Sequence, residues 1–137
     1  MLPPKDLSKL KPPSHGLYDP VVDAPFHKNE PLLFSFIASA LTEIENCKGK
    51  NSKDAIKEIV ANVFRSTMLL CPTELASLFY FFCVKLGPDY EALETGIGLE
   101  LLSNSVAKAC GKSLKQIREQ FKQDGDYGIV VEKGKGA

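Results

Sequence analysis

Apolar side chains recur at helical spacing along most of this chain, and no segment shows the sustained alternation that a β-strand requires. Glycines and prolines separate these helical patterns at short intervals. We therefore predict an all-α fold, an irregular bundle of about five helices joined by short loops. The apolar positions of the first three helices are Leu33, Phe34, Ile37, Leu41 and Ile44, then Ile56, Ile59, Val60, Val63, Phe64 and Thr67, then Leu75, Leu78, Phe79, Phe82 and Leu86.

Local signals predict where these helices begin and end. Pro31 suits the first turn of helix one, where a missing N–H costs nothing. Ser52 is predicted to cap the second helix. Cys71-Pro72 is typical of the start of the third helix, and Gly87 before Pro88 indicates its end.

The second half of the chain has its own boundary signals. We predict a fourth helix over Leu99–Cys110, stopped by Gly111. Ser113 and Gln116 have the spacing of a capping box for a fifth helix. Glycines are predicted to end the helical region, and a short β-prone run follows them. These residues are Gly125 and Gly128, then Ile129-Val130-Val131, and the inward positions of the fourth and fifth helices are Leu102, Val106 and Ala109, then Leu114, Ile117 and Phe121.

Composition and the positions of helix-breaking residues together predict one helical domain. The 137 residues are 44% hydrophobic and 25% charged, as in an ordinary globular domain. Residues 1–16 hold four prolines and three lysines with little that could pack, so we expect a flexible arm there. The helical domain is predicted over residues 17–132, and residues 133–137 form a lysine- and glycine-containing tail.

Several function classes are disfavoured by the bulk sequence. Apolar runs fall short of the roughly 18 residues of a membrane span, and the N-terminus lacks the apolar core of a secretory signal, so we expect no membrane partner. The four cysteines have no C-x-x-C spacing, so we expect neither a metal site nor a disulfide framework. Lys plus Arg and Asp plus Glu both number 17, and this zero net charge does not indicate a nucleic-acid binder.

The charge is nevertheless uneven along the chain. Residues 61–100 carry two bases against five acids, whereas residues 101–137 carry seven bases against four acids. On a continuous helix, the bases at 108, 112, 115, 118 and 122 would share one face, but Gly111 is expected to divide them into two short basic faces. These faces are either a solvated surface or a set of phosphate contacts from Lys108, Lys112 and Lys115.

Lys122-Gln123-Asp124-Gly125 spells K-x-D-G, the string that holds the adenylylated lysine of nucleotidyltransferases. Here the string lies at the end of a charged helix, and the arginine that commonly follows is replaced by Tyr127. We interpret it as a helix C-terminus with a glycine stop. A small adenylyl-transfer enzyme using Lys122 is the alternative.

Seven strings along residues 17–132 resemble, in their order and spacing, the N-terminal part of the DNA-binding domain of ATP-dependent DNA ligases, the eukaryotic replicative type in particular. They are Tyr18-Asp19-Pro20-Val21-Val22-Asp23-Ala24, Glu30-Pro31, Phe64-Arg65-Ser66-Thr67, Cys71-Pro72-Thr73-Glu74-Leu75, Leu86-Gly87-Pro88-Asp89-Tyr90-Glu91-Ala92-Leu93-Glu94-Thr95-Gly96-Ile97-Gly98, Gly111-Lys112-Ser113-Leu114 and Gly125-Asp126-Tyr127-Gly128-Ile129-Val130.

The chain departs from the family pattern at four positions. Phe26 stands where the family usually has tryptophan, and Ser39 lies near a frequent arginine. Ala92 and Thr95 replace a glycine and a leucine in the longest string. The resemblance implies that the chain corresponds to about half of the family's DNA-binding domain, and we expect the adenylation domain and the OB-fold to lie outside it.

The resemblance implies a non-catalytic part of a nuclear enzyme of DNA replication, repair and recombination. ATP and magnesium belong to the full-length enzyme, so we expect no cofactor and no catalytic residue in this chain, and whether it counts as an enzyme is left open. Its expected partners are nicked double-stranded DNA, bound weakly by this part alone, and the ligase's missing catalytic domains. The candidate DNA contacts are Arg65, Gly96, Ile97, Gly98, Lys108, Lys112 and Lys115.

Each candidate has an alternative reading. Gly96-Ile97-Gly98 either brings backbone N–H groups to a phosphate or forms an ordinary tight turn. Arg65 either contacts DNA or pairs with a carboxylate such as Glu94. The whole chain is either a DNA-gripping part of a ligase or a truncated ligase-like paralogue that acts as a helical protein-interaction module.

Overall fold

The computed structural model describes residues 3–134, and the part it describes contains α-helices and short 3-10 turns but no β-strand. The predicted all-α class is therefore confirmed. Short 3-10 turns span Leu7–Lys9, Pro72–Glu74 and Asp89–Glu91. The α-helices are α1 (Phe34–Asn46), α2 (Ser52–Leu70), α3 (Leu75–Phe82), α4 (Leu99–Cys110), α5 (Leu114–Asp124) and α6 (Tyr127–Gly134).

The helices form two compact units, residues 1–91 and residues 92–137, so the division falls inside the segment predicted as one domain. Each unit has a separate core. The prediction of a single helical domain over residues 17–132 rested on length, composition and the positions of helix breaks, which do not show how many cores the helices build. Within residues 3–134, no helix combines the length and the apolar character needed to cross a bilayer.

In the first unit, α1, α2 and α3 surround an apolar core together with the loop before α1. The rings of Phe26 and Phe36 meet edge to face with their centroids 5.6 Å apart. Such pairs add to the gain from burying the rings themselves. The buried core residues are Ala24, Phe26, Phe36, Ile37, Ala40, Ile59, Val63, Leu70, Cys71 and Leu78.

The first helix begins later than predicted, at Phe34 rather than near Pro31. Leu33 is the N-cap in an extended conformation, and it offers no side-chain cap. The buried face also differs, because Phe36, Ile37 and Ala40 are buried whereas Leu33 and Phe34 are 40% and 66% exposed. Helical spacing alone allowed either set, and the position of Phe26 selects the face that is buried.

The third helix ends earlier than predicted, at Phe82 instead of near Gly87. Val84 takes the left-handed conformation that reverses the chain, and the Lys85 N–H donates to the Tyr80 carbonyl at 2.9 Å. Of the predicted apolar stripe only Leu78 is fully buried, while Phe79 and Leu86 are 54% and 58% exposed. Valine is a rare residue at a left-handed stop, so no sequence signal indicated this end.

The second unit packs α4, α5 and α6 around Val106, Ala107, Ile117 and Val130. α4 has the predicted limits, and Gly111 ends it with a φ of 62°. The capping box of Ser113 and Gln116 is present at the start of α5. Val106 and Ile117 face inward as predicted, whereas the inward position next to Val106 in α4 is Ala107 rather than the predicted Ala109.

The segment after α5 is a helix, so the prediction of a β-prone run at Ile129-Val130-Val131 is wrong. Gly125 does stop α5 with a φ of 74°, but Gly128 lies inside α6. The Asp126 carboxylate caps the new helix, since it accepts the Gly128 N–H at 2.6 Å and the Ile129 N–H at 3.2 Å. Burial of Val130 against α4 and α5 outweighs the weak β-propensity of this run.

The N-terminal segment, predicted as a flexible arm, makes specific contacts from residue 3 to residue 14. The Lys5 ammonium donates to the carbonyls of Val21, Val22 and Ala24 at 2.7–3.1 Å. The Lys11 N–H donates to the buried Asp23 carboxylate at 3.2 Å. Composition indicated a solvated segment, but one of its lysines, Lys5, donates hydrogen bonds to a convergent set of carbonyl oxygens.

Candidate nucleic-acid interface

The connection between α4 and α5 brings three predicted DNA contacts together. Lys108 lies in the last turn of α4, Lys112 follows Gly111, and Lys115 lies in the first turn of α5. The left-handed Gly111 lets the Lys112 N–H donate to the Ala107 carbonyl at 3.0 Å, which reverses the chain tightly. The division of the basic stripe at Gly111 is therefore confirmed, and the three lysines flank one short turn.

The three lysines differ in what holds them. Lys108 and Lys115 are exposed, whereas Lys112 is half-buried and donates to the Gln120 side-chain oxygen at 3.3 Å. Within residues 3–134, none of the ion pairs involves any of the three. Lys108 stabilises α4, because a cation at a helix C-terminus interacts favourably with the helix dipole. Lys115 lies at the N-terminus of α5, where the helix dipole disfavours a cation.

The Gly96-Ile97-Gly98 turn lies at the opposite end of α4 from Lys108. Nine helical steps separate Leu99 from Lys108, which is roughly 14 Å along the axis. Gly96 has a φ of 64° and thus needs glycine, whereas Gly98 is extended and serves as the N-cap of α4 without a side-chain hydrogen bond. The Gly96-Ile97-Gly98 turn and the three lysines therefore lie at two separate sites on the second unit.

Arg118 is the base that the structure places beside the start of α4. Its guanidinium pairs with the carboxylate of Glu100, which lies in the first turn of α4. Glu100 thereby supplies negative charge at the very position where a phosphate would benefit from the helix dipole. Arg118 was part of the predicted basic stripe, but no sequence spacing indicates a partner 18 residues away.

Arg65 belongs to the first unit and is held on the surface of α2. Its Nη1 donates to Glu58 Oε1 at 2.7 Å and to Asn62 Oδ1 at 2.6 Å. The side chain remains 50% exposed. The carboxylate that pairs with Arg65 is therefore Glu58, about two turns earlier on the same helix, and not the predicted Glu94.

Lys122 lies exposed in the last turn of α5, three residues before the left-handed Gly125. This is the environment of a helix C-terminus and not the apolar pocket that adenylyl transfer to a lysine requires. Within residues 3–134, no group of three or more histidine, cysteine, aspartate or glutamate side chains is placed to bind a metal ion.

Comparison with known proteins identifies a family that this chain matches over most of its length. The model of the DNA ligase N terminus matches residues 33–136. DNA ligase 1 of Dictyostelium discoideum is 35% identical over 117 residues, which cover 85% of this chain and 10% of that protein. DNA ligase 1 of Drosophila melanogaster is 31% identical over 90% of this chain and 16% of that protein.

DNA ligase 1 of Saccharomyces cerevisiae is 34% identical over 77% of this chain and 14% of that protein. The chain thus spans about a tenth to a sixth of the length of these relatives. The family match covers most of the segment in which the seven strings lie, and it confirms the resemblance that they indicated. The chain belongs to the N-terminal domain family of ATP-dependent DNA ligases.

Proposed function

We propose that this chain is part of the DNA-binding region of an ATP-dependent DNA ligase, where it helps to grip nicked duplex DNA and performs no chemistry itself. The observation that supports this most is the set of lysines around the α4–α5 turn, in a chain of the DNA ligase N-terminal family. Lys108, Lys112 and Lys115 have no carboxylate partner within residues 3–134. A phosphate backbone would supply the missing negative charge.

The contacts would be to phosphates rather than to bases. Lysine ammonium groups neutralise phosphates and fix the register of a protein on the duplex, but they read no sequence. The N–H groups of Gly98 and the first turn of α4 are a second proposed contact, because they have no side-chain cap. Glu100 opposes an anion there, so we assign the principal contact to the lysine turn.

The rest of the proposal follows from the parent enzyme. ATP and magnesium would bind in the adenylation domain of a full-length ligase, and residues 3–134 would contribute neither a ligand nor a catalytic group. The catalytic domains of the ligase would be the partners of this region around the DNA. The eukaryotic DNA ligase 1 relatives support a nuclear role in DNA replication, repair and recombination.

The experiment is a binding titration of the chain with a fluorescent nicked duplex and an intact duplex of the same sequence at about 50 mM salt. The double variant Lys112→Glu with Lys115→Glu should bind at least about tenfold more weakly, because two phosphate contacts become repulsive. The matched control is Lys48→Glu with Lys50→Glu in the exposed α1–α2 connection, which changes the net charge equally. It should bind as the wild type does.

A protein-interaction module is the second candidate, and a specific observation favours it. Phe34 of α1 and Phe81 of α3 are 66% and 42% exposed, and their rings meet edge to face with centroids 5.9 Å apart. Contiguous exposed aromatic surface is typical of interfaces. Absence of duplex binding at 50 mM salt would favour this candidate over the first, as would equal loss of affinity in both double variants.

A further inference from the structure

The N-terminal strap, residues 3–14, is connected to a proposed DNA contact through one buried side chain. We propose that the strap, acting through Asn62, is a positioning element that fixes the Arg65 guanidinium on the surface of α2. The functional value of this positioning rests on the proposed function, because it requires that Arg65 contacts a DNA phosphate. The hydrogen-bonded connection from the strap through Asn62 to Arg65 can be tested without DNA.

Asn62 joins the two groups because its amide has a different function at each end. Its Nδ2 donates to the Pro13 carbonyl at 2.8 Å, and its Oδ1 accepts from Arg65 Nη1 at 2.6 Å. A carbonyl can only accept and a guanidinium can only donate, so these two partners allow a single orientation of the amide. Asn62 is 5% exposed, and water therefore competes little for either end.

The strap is itself held at several points of the first unit. Lys5 donates to three carbonyls of residues 21–24, and the Pro3 carbonyl lies 2.9 Å from His27 Nε2. Near Asn62, the Ser14 N–H donates to Glu43 Oε2 at 2.9 Å. The Pro13 carbonyl is thus fixed from both sides along the chain, and it presents a stationary acceptor to Asn62.

Arg65 gains a defined position from this arrangement. Glu58 holds the guanidinium from the exposed side of α2, and Asn62 holds it from the buried side. Glu58 alone is an exposed partner, and exposed ion pairs order a long side chain only weakly. A guanidinium that is already ordered loses less conformational freedom when it binds a phosphate.

The test follows the Arg65 guanidinium signals and the backbone amide exchange of the full chain by NMR. Asn62→Ala removes both hydrogen bonds, so the Arg65 signals should collapse to the averaged position of a freely rotating guanidinium. Glu43→Ala removes the acceptor of the Ser14 N–H and loosens the strap beside Pro13 while Asn62 and Glu58 remain, so the Ser14 amide should exchange at least about tenfold faster and the Arg65 signals should move part of the way to that averaged position. Asn104→Ala, an exposed amide on α4, is the control and should change neither signal.

Two outcomes would overturn the positioning role. One is that Arg65 keeps its ordered signals in Asn62→Ala, and the other is that the Arg65 signals are unchanged in Glu43→Ala although Ser14 exchange rises. Both variants retain a helix-compatible residue, and the remaining amide spectrum reports whether each is folded.

Duplex binding separates this inference from the proposed function. If Arg65 contacts phosphate, Arg65→Ala weakens binding by about threefold to tenfold, and Asn62→Ala adds nothing to it in the double variant. If Arg65→Ala leaves the affinity unchanged while the NMR results are as expected, the DNA contact of Arg65 is wrong and the positioning by the strap stands. Additive losses from the two substitutions would instead show that Asn62 acts elsewhere and would contradict the inference.

Discussion

Val84 has a strained backbone conformation, and packing of its side chain does not compensate for that strain. Its φ is 56°, in the left-handed region, where a β-branched residue is an outlier. The side chain is 92% exposed, so it contributes almost no packing. The residue completes the reversal after α3, and glycine would make the same turn without a clash of Cβ.

Val84→Gly should therefore stabilise the protein. The left-handed conformation costs an L-residue about 1–2 kcal/mol, and the greater freedom of glycine in the unfolded chain offsets roughly half of that. We expect a net gain of about 0.5–1 kcal/mol in the free energy of unfolding, measured by urea titration. Val84→Ala, which keeps a Cβ in the same conformation, is the matched control and should gain less. A loss of stability in Val84→Gly would mean that the turn carries no strain.

Asp23 makes stability depend on pH. Its carboxylate accepts the N–H groups of Asp19 at 2.8 Å and Lys11 at 3.2 Å, with the Lys11 ammonium 3.8 Å away. The hydrogen bond from Asp19, together with those contributions of Lys11, holds the pKa of Asp23 below its usual range. A lowered folded-state pKa stabilises the fold above the unfolded-state value of about 4, and this contribution is lost as the pH falls through the folded-state value.

Asn at position 23 cannot accept both N–H groups as a carboxylate does. We expect Asp23→Asn to lower the free energy of unfolding by about 1–3 kcal/mol at pH 7 and by progressively less at an acidic pH below about 4, as the wild-type carboxyl takes up its proton. Urea titrations at the two pH values measure this. Equal destabilisation at both pH values would show that the charge of Asp23 is not what holds the loop and the strap.

At the scale of elements, local capping signals were sufficient to predict some helices and not others. Leu99–Cys110 and the capping box of α5 were predicted from residues within four positions of each helix end. The start of α1 was not predicted, because the packing of Phe26 determines it. The end of α3 was not predicted either, because the left-handed residue that ends it is Val84 and not a glycine. α6 was missed because Val130 is helical only through its burial in the second unit.

The finding that residues 127–134 form a helix and not a β-prone run can be tested through the helical register of α6. Val130 is fully buried and Ile129 is 41% exposed. Val130→Ala should cost about 1–3 kcal/mol in the free energy of unfolding of the second unit, and Ile129→Ala less than about 0.5 kcal/mol. Thermal or urea unfolding followed by signals from residues 92–134 checks both. Comparable losses at the two positions would contradict the register of the helix.

For the candidate interface, sequence reasoning found the charged residues but not the partners of the two arginines. The break at Gly111 was predicted, and it places Lys108, Lys112 and Lys115 around one turn. The pairings of Arg65 with Glu58 and Asn62, and of Arg118 with Glu100, depend on side-chain directions. The strap was predicted as a solvated arm, because composition does not reveal that the carbonyls of residues 21–24 converge on Lys5.

At the scale of the whole molecule, the zero net charge hides an uneven distribution. Residues 101–137 carry seven bases against four acids, and three of these bases flank the α4–α5 turn. A few phosphate contacts without base readout give weak and strongly salt-dependent affinity. This agrees with the proposal that the chain, which spans about a tenth to a sixth of the length of its ligase relatives, supplies only part of the DNA-binding surface.

The central claim is tested most directly by the salt dependence of nicked-duplex binding. Three phosphate contacts predict a slope of log K against log salt of about −2.7, and alanine at Lys108, Lys112 or Lys115 should each reduce its magnitude by about one. Lys53→Ala, an exposed lysine of α2, should leave the slope unchanged. A slope that none of the three substitutions alters, or no duplex binding at about 50 mM salt, would contradict the account.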